Sequence, residues 1–122
     1  YTLHAVSNGR TLINVAPFAD ITKNQWTHYA IVRYGNEIYG FKNGSHIYTG
    51  NLPNGAFIGK NNNDGVRIIV GRHETTNPTQ YYFTGYIDEL RIIKGIAVWT
   101  SDFESPQFPY DFNNVNFRDN HR

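Results

Sequence analysis

The sequence predicts an all-β fold, an antiparallel β-sandwich, from its composition and its turn residues. Its 122 residues include 12 Ile and 7 Val but only 4 Leu, and 16% are aromatic. β-branched and aromatic residues fit the pleated surface of a sheet, whereas Leu, Ala and Glu are favoured in helices. The 15 Asn and 11 Gly tolerate positive φ and mark tight turns. Short strands joined by such turns are typical of a sandwich or barrel.

The first two strand candidates form a hairpin. Residues 2–6 and 11–16 are apolar-rich runs on either side of Ser7-Asn8-Gly9. An Asn-Gly pair between such runs is the strongest short-range hairpin signal, because a type I′ turn needs positive φ at both central residues. Pro17 then ends the second run.

A three-stranded meander is predicted next. Its longest strand covers residues 26–34; Gly35-Asn36 turns the chain into residues 37–42, and Asn43-Gly44 turns it into residues 45–49. Alternate residues of a strand share a face, and one face of the first strand is apolar enough to enter the core. The residues of that expected core face are Trp26, His28, Ala30 and Val32.

The second half of the chain contains more loop. After the turn-rich residues 50–65, a strand is predicted for residues 66–71 and a polar loop for residues 72–80. Residues 81–94 read as one or two strands, with Gly85 as a bulge or bend because glycine interrupts strands at such points.

We expect a single sandwich domain over residues 1–106, followed by an extended tail over residues 107–122. Within it, residues 96–106 are expected to form a short turn or one helical turn. The remaining predicted core residues are Phe41, Ile87, Leu90, Trp99 and Phe103.

The charge balance excludes several classes of function. With 11 Lys+Arg against 10 Asp+Glu, the chain lacks the basic footprint of a nucleic-acid-binding protein or a polybasic membrane anchor. No apolar run approaches the roughly 18 residues of a membrane span, so we expect no membrane insertion. The lack of Cys excludes disulfides, thiolate metal sites and a cysteine nucleophile. The lack of Met indicates an N-terminus that is processed, trimmed or incompletely read.

Three segments, in this order, carry a resemblance to a known family. They are NQWTHYAIVR (24–33), followed by Gly35-Asn36 and FKNG (41–44); IVGR (69–72); and FTGYIDELRI (83–92). Together they resemble laminin-G-like domains, which belong to the concanavalin A-like lectin, or jelly-roll, class. The continuation KGIAVWTSDF (94–103), with Pro106 after it, is similar to the ending of modules on bacteriophage tail and extracellular appendage proteins.

The resemblance implies a concanavalin A-like jelly roll, but complete members begin with strands that this sequence lacks. Three explanations remain open: the chain starts part-way through a domain, another chain supplies the missing strands, or the sandwich is a reduced one. A sandwich without those strands would expose an unpaired edge that accepts a neighbouring strand.

A catalytic role is not supported, so we expect no enzyme. Glucanases of the resembling fold need two carboxylates about 5–5.5 Å apart, which on a strand requires alternate residues. Asp88 and Glu89 are adjacent and point to opposite faces, and Asp88 is expected to receive hydrogen bonds from backbone or from Arg91. The five histidines lack the short spacings of metal ligands, and His28 is interpreted as an interior histidine.

Calcium is the one cofactor that the resemblance brings into consideration. Many laminin-G-like modules hold this ion at the rim, and the polar tract Asn61–Gly65 is the loop with a matching character. Its Asp64 is a weak calcium candidate, because calcium prefers six to eight oxygens and one carboxylate binds it weakly. No firm metal site or other cofactor is predicted.

The favoured function is recognition of a surface glycan, with aromatic rings stacking on sugars and polar loops bonding to hydroxyls. The predicted ligand-binding residues are Tyr34, Asn36, Asn62, Asn63, Asp64, Arg72, His73 and Tyr81. The resemblance places such a lectin-like module on a virion or in the extracellular space, in an oligomer or larger assembly that raises weak affinity. The alternative is a structural or decorating subunit of a phage tail, fibre or surface layer, acting through protein contacts.

Overall fold

The computed structural model describes residues 3–7, 10–15, 22–55, 70–71 and 82–107. In these ranges the regular structure is entirely β, and no helix occurs that is long and apolar enough to cross a membrane. Two antiparallel sheets are present, one of two strands and one of three. The predicted all-β antiparallel class is therefore confirmed.

The smaller sheet is the predicted hairpin. Strand β1 (Leu3–Ser7) pairs with β2 (Arg10–Val15) in a register that runs from Leu3 opposite Val15 to Ser7 opposite Arg10. The register shifts between Ala5 and Val6. The Asn8-Gly9 turn lies outside the described residues.

The larger sheet is the predicted meander of β3 (Tyr29–Tyr34), β4 (Glu37–Lys42) and β5 (Ser45–Asn51). Positive φ angles occur at the turns, with 50° at Asn43 and 80° at Gly44. These are the two central positions of the β4–β5 turn, and Asn-Gly suits the positive φ that both require. The turn sequence thus fixes the pairing of the strands.

The buried side chains lie on both faces of this sheet. Val32 and Phe41 occupy one face and are 8% and 0% exposed, which confirms their predicted place in the core. Ile38 lies on the other face, since its neighbour Tyr39 pairs with Val32 across the strands. Leu52, just beyond β5, is buried as well, and its backbone N–H donates to the Asn36 carbonyl at 2.6 Å.

Trp26 is not a core residue, and its prediction as one is wrong. Its side chain is 68% exposed. The alternation that would bury it begins only at Tyr29, where β3 starts, and the chain before it turns at Asn24 with φ of 59°. Residues outside the strand do not follow its two-residue period.

The prediction of a strand over residues 81–94 is wrong for the described part, residues 82–94. This segment contains one bridge residue, Tyr82, and no strand. Glu89 adopts φ of 50°, which interrupts extended backbone, and its N–H donates to the Asp88 carboxylate at 2.8 Å. Without a strand there is no buried face, so the predicted core residues Ile87 and Leu90 are 51% and 61% exposed.

The other predicted core residues are half-buried: His28, Ala30, Trp99 and Phe103. Residues 96–106 contain bends but no helical turn. The predicted strand 66–71 lies outside the described residues except for Val70 and Gly71, which are not in a strand. The tail beyond residue 107 is also outside them, and the domain boundary at residue 106 stays a prediction.

Candidate functional site

One face of the three-stranded sheet carries a band of exposed polar and aromatic side chains. In an antiparallel sheet, directly paired residues project to the same side. The pairs Tyr34–Glu37, Val32–Tyr39 and Tyr39–Thr49 therefore share a face, as does the pair Phe41–His46. Five members of this face, together with the adjoining Asp102, form a group that we call the strip; Tyr39 is half-buried and the others are exposed. The residues of the strip are Tyr34, Glu37, Tyr39, His46, Thr49 and Asp102.

Glu37 and Tyr39 are held together within the strip. The Tyr39 hydroxyl donates a hydrogen bond to Glu37 Oε2 at 2.6 Å. This bond stabilises the neutral phenol, and with the nearby negative charge it raises the pKa of Tyr39. The hydroxyl therefore stays protonated, and the pair presents a fixed ring beside a fixed carboxylate.

His46 is positioned by its neighbours in the same band. Its Nε2 shares a hydrogen bond with the Thr49 hydroxyl at 2.9 Å. Its ring lies 5.8 Å from that of Tyr39 and 5.5 Å from that of the buried Phe41, tilted by 55° in both cases. Because ring and hydrogen bond are both fixed, the imidazole is already ordered before any ligand arrives.

A segment distant in sequence closes one end of the strip. Residues 98–105, which we call the clasp, lie against the β4–β5 turn, where the Phe103 N–H donates to the Gly44 carbonyl at 3.0 Å. The backbone N–H of His46 donates to Asp102 Oδ1 at 2.8 Å. The clasp thereby brings an exposed carboxylate to the end of the band formed by β4 and β5.

Aromatic packing secures the clasp. The rings of Trp99 and Phe103 are stacked 3.9 Å apart with planes 6° from parallel, and Phe103 meets Phe41 edge-on at 5.2 Å. Such pairs contribute about 0.5–1.5 kcal/mol beyond the area they bury. Residues 98–104 also line a half-open depression of about 380 Å³. The clasp is thus a packed element with a polar concave side.

His28 lies beneath the clasp. Its ring meets those of Trp99 and Phe103 nearly at right angles, at 6.0 and 5.7 Å. Its backbone exchanges two hydrogen bonds with Asn43, one to the Asn43 side chain at 2.9 Å and one from the Asn43 N–H at 2.8 Å. The ring Nδ1 is buried without a hydrogen-bond partner among the described residues. Burial lowers the pKa of His28, so the imidazole is neutral in the folded domain.

The lowered pKa of His28 predicts a loss of stability in acid. The unfolded chain binds this proton at about pH 6.5, whereas the folded domain binds it only at lower pH. The contribution of neutral His28 to the free energy of unfolding is complete above pH 6.5. It is lost as the pH falls from there through the lowered pKa of His28 in the folded domain. We expect the melting temperature to fall on acidification, and to fall less steeply in His28→Phe. That variant keeps the aromatic packing and the backbone bonds to Asn43; parallel pH curves for the two proteins would contradict the prediction.

Two of the predicted ligand residues lie in the described part of the chain, and both are exposed at the β3–β4 turn. Tyr34 is 62% exposed and belongs to the strip. Asn36 donates from its side chain to Asn54 Oδ1 at 2.7 Å, which joins this turn to the chain after β5. The other six lie outside the described residues: Asn62, Asn63, Asp64, Arg72, His73 and Tyr81. The described residues contain no cluster able to hold a metal, and the calcium candidate Asp64 stays a prediction.

Sequence reasoning missed most of the strip because it looked for ligands in loops. Glu37 and Tyr39 are two residues apart on a predicted strand. Because alternate residues of a strand share a face, both lie on the same face of the sheet as Phe41. Asp102 gives no such signal, since its place beside His46 depends on a contact between residues 56 positions apart.

Comparison with known proteins decides the family. A laminin G model, described as the concanavalin A-like lectin/glucanases superfamily, matches residues 2–97. The chain belongs to the concanavalin A-like lectin/glucanase superfamily. No curated protein and no solved structure shows significant similarity to it.

Membership of the concanavalin A-like superfamily confirms the resemblance to laminin-G-like domains and the sandwich class. The resemblance of the ending to modules of phage tail proteins stays a prediction. It makes the domain a carbohydrate- or protein-binding module of a superfamily that is generally non-catalytic, although some members are glycosidases. The matched residues include Tyr34, Glu37, Tyr39, His46 and Thr49 but end just before the clasp. Asp102 therefore joins the strip from outside the matched part of this concanavalin A-like domain.

Proposed function

We propose that the domain is a non-catalytic carbohydrate-binding module of a virion or extracellular assembly. The strip is the observation that carries this proposal. It combines two tyrosine rings with carboxylate, imidazole and hydroxyl groups, and it leaves them accessible on one face of the sheet. A sugar ring has apolar C–H groups on its faces and hydroxyl groups around its edge. Its recognition therefore needs a flat apolar surface and hydrogen-bonding groups side by side.

The residues of the strip have separate roles in this proposal. Tyr34, with its ring 62% exposed, offers a stacking surface at the rim, and Tyr39 offers a second one in the middle of the sheet. Glu37 and Asp102 accept hydrogen bonds from hydroxyls. Because Tyr39 and His46 are already hydrogen-bonded or packed in place, little side-chain entropy is lost when a sugar binds.

The carboxylates at residues 88 and 89 support a binding role rather than catalysis. Asp88 accepts a hydrogen bond from the Glu89 N–H, and Glu89 adopts a positive φ of 50°. Neither belongs to the strip. A shallow open face of this kind binds weakly at one site, and display of several copies on an assembly raises the overall affinity.

The test uses the domain displayed in tetravalent form on a glycan array, alongside Tyr34→Ala. Loss of a stacking ring should weaken binding by about tenfold or more, the equivalent of about 1.4 kcal/mol. Tyr34 is exposed, so its replacement should leave the melting temperature unchanged. Tyr86→Ala is the matched control, since Tyr86 is 87% exposed and lies outside the strip. An array without signal, or equal losses in the two variants, would refute carbohydrate binding through the strip.

A second candidate is a structural or decorating subunit of a tail, fibre or surface layer that acts through protein contacts. The apolar exposure of residues 82–96 favours it, because contiguous apolar surface marks interfaces. Six large side chains there are about half exposed or more: Tyr82, Tyr86, Ile87, Leu90, Ile92 and Ile96. A silent glycan array together with self-association in light scattering would favour this candidate over the first.

A further inference from the structure

Apart from the imidazole of His46, the ionisable groups of the strip are two carboxylates and two phenols. Its two carboxylates, Glu37 and Asp102, are exposed, and within the described residues neither forms an ion pair with Lys or Arg. The strands do carry cations, but the register places them elsewhere. Arg33 pairs with Ile38, and Lys42 pairs with Tyr29 and Ser45, so both project from the opposite face of the sheet.

Each carboxylate uses only part of its hydrogen-bonding capacity within the described structure. Glu37 accepts the Tyr39 hydroxyl through Oε2, and Asp102 accepts the His46 N–H through Oδ1. The second oxygen of each group has no partner among the described residues. A carboxylate has about four lone-pair positions, so both groups can accept further bonds from a ligand without giving up the bonds that position them.

We infer that the strip prefers sugar units with a free, protonated amino group and rejects sugars that carry carboxylate or sulfate. This inference rests on the proposed carbohydrate-binding function. Glu37 and Asp102 lie at opposite ends of the strip, so each carboxylate can receive an ammonium group from a different sugar unit. An ammonium group beside an exposed carboxylate makes charge-assisted hydrogen bonds, which are roughly twice as strong as neutral ones. An anionic sugar on the same face meets like charge and no Lys or Arg of the described residues.

The clasp contributes to the preference for amino sugars, because it supplies Asp102, one of the two carboxylates of the strip. Its carboxylate lies five residues beyond the part of the chain that matches the superfamily, residues 2–97. Its position depends on the bond to the His46 backbone and on the packing of Phe103 against Phe41. The structure thus assigns a specificity-determining role to a segment that the family match does not include.

The experiment compares hexasaccharides that share one β-1,4-linked backbone, in which the acetylated oligomer differs from each of the other two by one substituent per sugar unit. Calorimetry in slightly acidic, low-salt buffer would measure binding of glucosamine, N-acetylglucosamine and sulfated N-acetylglucosamine oligomers to the intact domain. We expect the glucosamine oligomer to bind about tenfold more tightly than the acetylated one, and the sulfated one to bind weakest. The formal net charge is +1 at pH 7 and becomes more positive as histidines gain protons in acid, so the protein as a whole does not attract a cationic oligomer.

Asp102→Asn tests the residue assignment. Asparagine Oδ1 still accepts the His46 N–H, so the clasp should stay in place while the charge is removed. The preference for the glucosamine oligomer should fall about threefold or more, with the affinity for the acetylated oligomer nearly unchanged. Asp88→Asn is the matched control and should leave both affinities as they are.

Two outcomes would overturn the inference, and they are distinguishable from failure of the proposed function. Equal or tighter binding of the acetylated or sulfated oligomer would refute the charge preference and leave carbohydrate recognition standing. Equal effects of Asp102→Asn and Asp88→Asn would refute the role of the clasp. Absence of binding to every oligosaccharide, both here and on the array, would refute the function and the preference together.

Discussion

Replacing Phe41 by alanine should lower the free energy of unfolding by about 3–5 kcal/mol. The Phe41 side chain is fully buried in the middle strand of the sheet. Its ring contacts that of Phe103 at 5.2 Å and that of His46 at 5.5 Å, so its loss removes packing from the sheet and from the clasp at once. Urea unfolding followed by tryptophan fluorescence measures the change, because Trp99 stacks on Phe103.

Ile31→Ala is the control for this substitution. Ile31 is in the same sheet but is 56% exposed, so its truncation should cost less than about 1 kcal/mol. Phe41→Leu keeps most of the buried volume and should lower the free energy of unfolding by roughly 1.5 kcal/mol or less. This variant allows the core position to be tested if the alanine variant fails to fold. A cost for Phe41→Ala no larger than that for Ile31→Ala would contradict the assignment of the core.

The meander was predictable because its signals are local. Gly35-Asn36 and Asn43-Gly44 supply residues that accept positive φ at the points where the chain reverses. Once these turns are placed, the pairing of the strands follows, and with it the shared face of Phe41 and Val32. Composition alone was enough for the all-β class.

The errors arise where a segment's structure depends on distant partners. Residues 82–94 alternate like a strand, but alternation does not show whether a second strand is available to pair with them. Their exposed Ile87 and Leu90 follow from the absence of pairing in the described part of the chain. Trp26 was misplaced by a boundary error of three residues at the start of β3, a typical uncertainty for a strand end.

The candidate site also contains residues that local sequence patterns predict and one residue that depends on a distant contact. Tyr34 and Asn36 were predicted from their position beside a turn, and Glu37 and Tyr39 could have been found by following the alternation of β4. The contribution of Asp102 could not have been predicted. It requires residues 46 and 102 to meet, and their contact follows from how Phe103 packs on the sheet rather than from any local pattern.

Gly44→Ala should detach the clasp and lower the free energy of unfolding by about 2–4 kcal/mol. Gly44 is buried with φ of 80°, a conformation that costs a residue with a Cβ about 1–2 kcal/mol. A Cβ at this position would also overlap the backbone carbonyl oxygen of Phe103, which is not a flexible side-chain end that can move aside. The hydrogen bond from the Phe103 N–H to the Gly44 carbonyl would be lost with it.

Gly35→Ala separates the two causes. Gly35 has a comparable φ of 60°, but a Cβ there would meet no atom within 4 Å, so its replacement should cost only the backbone strain of about 1–2 kcal/mol. In a Trp26→Phe background, fluorescence reports on Trp99 alone and should shift towards that of an exposed tryptophan in Gly44→Ala but not in Gly35→Ala. Because a detached clasp also removes Asp102 from the strip, Gly44→Ala should weaken the preference for glucosamine oligomers as well. Equal destabilisation and unchanged Trp99 fluorescence in both variants would mean that the clasp does not depend on the β4–β5 turn.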